Sequence, residues 1–167
     1  MSSLESTRLA LRIARPADAP FIFALLNSPG WLEHIGDRGI RTLDDAEGYI
    51  NGLAEAHKKQ GFGLWLVCRK EDDKPLGLCG LLQRDYLEHP DLGFAIAPEY
   101  GRQGYTREAS EICLDFAREQ GYPQVMAITS PANTASQSLL LALGFADGGK
   151  VSPPGSEEVL KLYQLSI

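Results

Sequence analysis

The chain is expected to fold as an α/β domain built on a mixed β-sheet. Three patterns predict it. Short apolar runs bounded by turn residues alternate with segments whose apolar residues recur every three or four positions. Residues 62–96 hold three successive strand-like runs joined by polar turns, which is a meander. From Asp91 a strand leads through a glycine loop into a helix and on to another strand, Gln124 to Thr129. A strand–helix–strand connection of this length implies a parallel, right-handed crossover, so these two strands should lie side by side. The expected order is β-α-α-β-β-β-α-β-α-β-β. The 167 residues suffice for one domain, 1–167, with a substantial core.

Each element has its own signal. Thr7 to Ile13 alternates apolar and polar and reads as the first strand. Pro16-Ala17-Asp18 then starts a helix, with Asp18 as N-cap and Phe21, Ile22, Leu25 and Leu26 as its apolar stripe. Asn27-Ser28-Pro29-Gly30 stops it, and Trp31 to Arg41 reads as irregular. Thr42 caps the next helix, with Asp44 and Asp45 at its positive end. Ala46, Tyr49, Ile50, Leu53, Ala54 and His57 follow at helical spacing, with His57 as a packing residue, and Gly61 ends the helix. Phe62 to Lys70 and Leu76 to Arg84 form a hairpin around the polar turn Glu71 to Pro75, and Asp91 to Ile96 is the third strand. After the crossover, Thr134 and Gln137 fit a capping box, and Leu139, Leu140 and Leu143 give the apolar face of a last helix. Gly144 closes that helix. Phe145 onward and Glu157 to Ile167 are the closing strands, separated by Ser152 to Ser156.

Composition narrows the function. Apolar residues make up 44% and charged residues 23%, an ordinary globular balance. A net charge of −6 argues against a nucleic-acid partner, because phosphates would be repelled. It mildly favours a cationic substrate such as an amine. Cys68, Cys79 and Cys113 are an odd, sparse set without a C-x-x-C pair, so a disulfide framework or zinc site is not expected and buried thiols are. No run approaches a membrane span and the N-terminal MSSLESTRLALR lacks a leader pattern, so a cytoplasmic protein is expected. There is no P-loop sequence, and Gly61-Phe62-Gly63 precedes a strand rather than opening a helix, which sets dinucleotide folds aside.

The chemistry concentrates in Pro98 to Gln120, PEYGRQGYTREASEICLDFAREQ. Gly101 and Gly104 loosen the loop, Arg102 and Gln103 supply donors, and Ala109, Ile112, Cys113, Phe116 and Ala117 mark the following helix. The first N–H groups of a helix lack intrahelical partners and sit at the positive end of its dipole. A strand feeding such a loop is therefore a ready anion site, suited to the pyrophosphate of a coenzyme.

Two stretches together resemble a known family. PEYGRQGYTREA resembles motif A of the GNAT N-acetyltransferases, [QR]-x-x-G-x-[GA], and NTASQSLLLALGF resembles the asparagine-led motif that follows it. The nearest likeness is to the branch of ribosomal-protein N-terminal acetyltransferases, and it spans essentially the whole chain. The loop departs from the pattern: Gly101 stands where the motif has Gln or Arg, and Thr106 replaces its final Gly or Ala, while Gly104 matches. The resemblance implies the GNAT acyl-CoA N-acyltransferase fold and an acetyl-CoA-dependent transfer to a primary amine, either a protein N-terminal α-amine or a small amine. A non-catalytic acyl-CoA-binding or sensing module of the same fold is the alternative. Acetyl-CoA would lie where the strands at Asp91–Ile96 and Gln124–Thr129 part. Its pantetheine would run along Phe94, Ala95 and Ile96, and its pyrophosphate would meet the N–H groups of Arg102, Gln103, Gly104, Tyr105 and Thr106. Asn133 matches the family asparagine near the pantetheine, and Ser136 a position that hydrogen-bonds the coenzyme sulfur. No metal is implied, and the protein would be a monomer or homodimer.

Direct attack of an amine on the thioester needs a proton acceptor, an oxyanion donor and a way to protonate the leaving thiolate. Asp91 is the first candidate for the base, with Glu88, His89, Glu33 and His34 behind it. Leu140 and Ile128 stand where family members carry a proton-donating Tyr and a Glu, which leaves Ser136 to donate to the sulfur. Trp31 and His34 are candidates for the acceptor pocket. An α-amine of pKa about 8 is roughly 10% neutral at pH 7, whereas a lysine of pKa about 10.4 is roughly 0.04% neutral. The lack of a strong base therefore leans toward a low-pKa amine.

Overall fold

The computed structural model describes residues 4–167; residues 1–3, the start of the N-terminal stretch read above, lie outside the described residues. Seven strands form one sheet: β1 (Leu9–Arg12), β2 (Leu64–Arg69), β3 (Lys74–Leu82), β4 (Asp91–Ile96), β5 (Gln124–Thr129), β6 (Ala146–Val151) and β7 (Leu160–Ser166). Their order across the sheet is β1-β2-β3-β4-β5-β7-β6. Every neighbouring pair is antiparallel except β4 and β5, which are parallel as the crossover requires.

Five helices cover the two faces: α1 (Ala19–Leu26), α2 (Pro29–His34), α3 (Leu43–Gln60), α4 (Tyr105–Glu119) and α5 (Thr134–Ala142). Alternation along the strands divides the core between them. Leu66, Cys68 and Leu78 face α1 to α3 and pack with Ile22, Leu26, Trp31, Ile50 and Leu53. Val67, Cys79 and Leu81 face the other way and pack with Tyr105, Ala109, Cys113 and Leu140. The three cysteines are free and buried, Cys79 and Cys113 in contact with Sγ atoms 3.7 Å apart. His57 is a core residue whose Nε2 bonds the Leu64 carbonyl at 2.7 Å. Among the described residues no helix is long and apolar enough to cross a membrane.

Local departures from the sequence expectation have identifiable causes. The largest is α2, in a segment that reads as irregular. Pro29, which stops α1, also sits at the first position of a new helix, where its missing N–H costs nothing. Six residues are too few to show a period. Asp18 stands at the start of α1, but its carboxylate accepts from Arg12 at 2.8 and 2.9 Å and from the Arg15 N–H instead of capping that helix. Thr42 does cap α3, its hydroxyl accepting from Asp45 N–H at 3.0 Å while Asp45 reaches back to the Thr42 N–H. The expected box of Thr134 and Gln137 is replaced by Asn133, whose Oδ1 accepts from Ser136 N–H at 3.1 Å. Pro75 lies inside β3 and not in the preceding turn, and a bulge at Val67/Cys68 absorbs its lack of a donor.

Candidate active site

The sheet parts where its only parallel pair begins. β4 pairs with β3 along its whole length. With β5 it shares one registered pair, Asp91 with Met126, and beyond it toward Ile96 and Thr129 the strands diverge. A cavity of about 590 Å³ fills the gap. It runs from Gly101 and Thr106 at the start of α4, past Phe94, Ala95 and Ile96, to Asp91, and on to Trp31, His34 and Tyr49 on the α1–α3 face. Asn133 and Ser136 form its other wall. The parted strand edges leave backbone N–H and C=O groups facing this space, a surface that an extended chain with amide groups can pair like an added strand.

The loop into α4 has two left-handed residues, Arg102 at φ +60° and Gly104 at φ +79°. A non-glycine there is uncommon. Together with the free N–H groups of the first helical turn, such a backbone forms a concavity for an anion. Gly104 is the N-cap, and no side chain caps the helix in its place. The loop is braced by the residues that lead into β1. Arg8 Nε bonds Glu108 at 2.7 Å, its Nη1 bonds the Gln103 carbonyl at 3.0 Å, and its guanidinium lies over the Tyr105 ring. The Ser6 hydroxyl donates to the same Glu108 carboxylate. Tyr105 turns its side chain into the core, leaving its backbone N–H to the loop. Arg102, Gln103 and Gly104 are exposed above the cavity and do not line it.

Asp91 is 1% exposed, and its Oδ1 accepts from Arg84 Nε at 3.0 Å. Burial pushes its carboxyl up from 3.8 to about 6 against the opposing pull of Arg84. Such a group is ionised at pH 7 yet basic enough to take a proton. The other carboxylates and the turn histidine considered for this role, Glu33, Glu88 and His89, do not line the cavity. His34 does, and its Nδ1 bonds Ser130 Oγ at 3.0 Å, tying α2 to the end of β5. Ser130 and Arg84 carry no sequence signal, because their partners lie 96 positions away and across an aperiodic turn, respectively. Trp31 and Tyr49 meet edge to face, with centroids 6.5 Å apart. Ile128 and Leu140 contribute only apolar wall. Among the described residues no group of three or more His, Cys, Asp or Glu is placed to hold a metal ion.

A sheet opened at one parallel pair beside an uncapped helix start is the frame of a transferase that takes its donor as an extended, phosphate-bearing coenzyme. The family model of the acetyltransferase (GNAT) domain matches residues 8–146. The chain belongs to this family, and it is an acetyl-CoA-dependent acetyltransferase. It is 26% identical over 139 residues to the uncharacterized protein YkkB of Bacillus subtilis (strain 168), covering 81% of this chain and 80% of that one. Its fold is like that of an acetyltransferase from Agrobacterium tumefaciens str. C58, with TM-score 0.83, 23% identity and coverage of 100% and 95% of the two chains. It is also like that of RimL, a ribosomal-protein alpha-N-acetyltransferase solved in complex with coenzyme A. That likeness has TM-score 0.80, 16% identity and coverage of 97% and 96%.

Proposed function

We propose that the chain moves the acetyl group of acetyl-CoA to a primary amine by direct attack. The observation that carries this is the continuity of the cavity from the N-terminus of α4, along β4, to the buried carboxylate of Asp91. In this reading the pyrophosphate meets the backbone N–H groups from Arg102 to Thr106. The pantetheine pairs along Phe94, Ala95 and Ile96, with Asn133 and Ser136 on its other side. Asp91 removes the proton from the amine as nitrogen attacks the thioester carbon. A β4 backbone N–H near Ala95 or Ile96 holds the oxyanion. The Ser136 hydroxyl donates to sulfur as the C–S bond breaks, and a thiolate of conjugate pKa about 8.5 leaves without a strong acid. Trp31 and His34 form the acceptor pocket. The acceptor is an α-amine or another amine of low pKa, either on a protein N-terminus or on a small molecule.

Thermal melting tests the coenzyme. Acetyl-CoA at a hundred times its Kd stabilises by about 2.7 kcal/mol, and NAD and ATP leave the midpoint where it was. Thiol release across a panel of amines tests the transfer. Faster acetylation of internal lysines than of peptide N-termini at pH 7 would overturn the preference for a low-pKa amine. A melting shift with no turnover of any amine would mark a coenzyme-binding module instead.

A further inference from the structure

The acceptor end of the cavity differs in charge from the rest of the molecule. The chain carries −6 overall, yet the charged side chains lining the cavity are Arg38, Arg84 and Asp91, with His34 beside them. Arg84 is engaged by Asp91. Arg38, at the exposed rim between α2 and α3, has no hydrogen-bonding or ion-pair partner among the described residues. Of the nearby acids in sequence, Asp37 pairs with Arg41, Asp45 closes the cap of α3, and Glu33 lies 3.7 Å from His34 Nε2. With Arg84 and Asp91 offsetting each other, Arg38 is the lining charge that no opposite charge pairs among the described residues.

That charge sits against the aromatic wall. It is felt at Tyr49, where it opposes the upward push that burial gives the phenol, and Tyr49 in turn meets Trp31. This wall belongs to the α1–α3 face, whereas the start of α4 packs on the opposite face of the sheet. Arg38 is therefore separate from the loop that would hold the coenzyme phosphates. For a plain amine, a free guanidinium at the entrance is a repulsion. For an amine that also carries a carboxylate, it is a bidentate partner.

We infer that the acceptor is an amine bearing a carboxylate, with its body against Trp31 and Tyr49 and its carboxylate on Arg38. The inference rests on the acetyl-transfer reading and narrows its substrate class. A free amino acid and the acidic first residue of a peptide both satisfy this chemistry.

The test is thiol release from acetyl-CoA with two matched pairs of acceptors. One pair is phenylalanine and phenethylamine; the other is the amidated tripeptides aspartyl-alanyl-alanine and asparaginyl-alanyl-alanine. In at least one pair the carboxylated member should have a kcat/KM about tenfold higher, the scale of one charge-assisted hydrogen bond. The pair that shows it identifies the source. Arg38→Gln should bring that ratio to near one by raising KM, Arg38→Lys should keep part of it, and the melting shift with acetyl-CoA should be intact in both. Equal rates within both pairs, or a ratio that survives Arg38→Gln, overturn the inference. Turnover of neutral amines alone, with a normal melting shift, also overturns it but leaves acetyl transfer standing. No melting shift in the wild type overturns both.

Discussion

At Asp91 burial and an ion pair act in opposite directions, and burial wins. If Asp91 is the base, as proposed, the expected consequence is a rise of kcat/KM with pH through about 6, as its carboxylate forms. Asp91→Asn should lower kcat by about 10²- to 10⁴-fold and leave the melting shift with acetyl-CoA in place. The same carboxyl has a stability signature. Its folded value lies above its ordinary one, so between about 4 and about 6 the folded chain binds more protons than the unfolded chain. This group's contribution is therefore fully present below that window and lost as pH rises through it. Asp91→Asn should lose the dependence, which urea unfolding at pH 4.5 and 7 will show. Trp31 carries a different tension. Its Nε1 is buried with no partner among the described residues. Trp31→Phe removes that donor along with some volume and should cost under about 1.5 kcal/mol, whereas Trp31→Ala opens a cavity and should cost about 3–5 kcal/mol. Equal costs by denaturant titration would contradict this. Asp91 was legible in the sequence as an acid opening a strand. Its shifted basicity was not, because Arg84 and the depth of burial follow from how three strands meet.

Among the elements, β3 lines the cleft with Leu78 and Leu82 and lets β4 approach closely at Gly77. A Cβ on Gly77 would stand 2.1 Å from the Ala95 carbonyl oxygen of β4, backbone that has no room to yield. Gly77→Ala should push β4 away at the point where pantetheine is proposed to pair. The expected result is about 1–3 kcal/mol of lost stability together with weaker acetyl-CoA binding. A stability loss with unchanged affinity for the coenzyme would detach this strand from the site. The start of α4 depends likewise on Arg8, just ahead of β1. Arg8→Ala removes the brace on Glu108 and the Gln103 carbonyl. It should raise the Kd for acetyl-CoA several-fold with little change in kcat, measured by isothermal titration beside thiol release. Helices α3 and α4 were readable because 15 or more residues display an apolar period and Thr42 and Gly61 mark two of the ends. Helix α2 was hidden by its six residues. The cap of α5 moved by one residue because Asn133 and Thr134 are both competent and geometry chooses between them.

For the whole molecule, the parallel pairing of β4 and β5 followed from the connection length, and the start of α4 straight after a glycine loop from Gly101 and Gly104. The insertion of β7 between β5 and β6 could not be read, since an alternating strand looks the same beside any neighbour. That insertion has a mechanical consequence. Strands β1 to β4 form one ribbon and β5, β7 and β6 another, and one rung at Asp91 and Met126 joins them. The two ribbons meet as at an expansion joint, and in the proposed binding mode a coenzyme threaded between them would act as the missing rungs. Amide exchange along the facing edges of β4 and β5 should slow on adding acetyl-CoA, while the already paired β2 and β3 keep their rates. The donor substrate would thus complete the sheet that binds it, and the loss of its acetyl group would leave coenzyme A still bridging the halves until it departs.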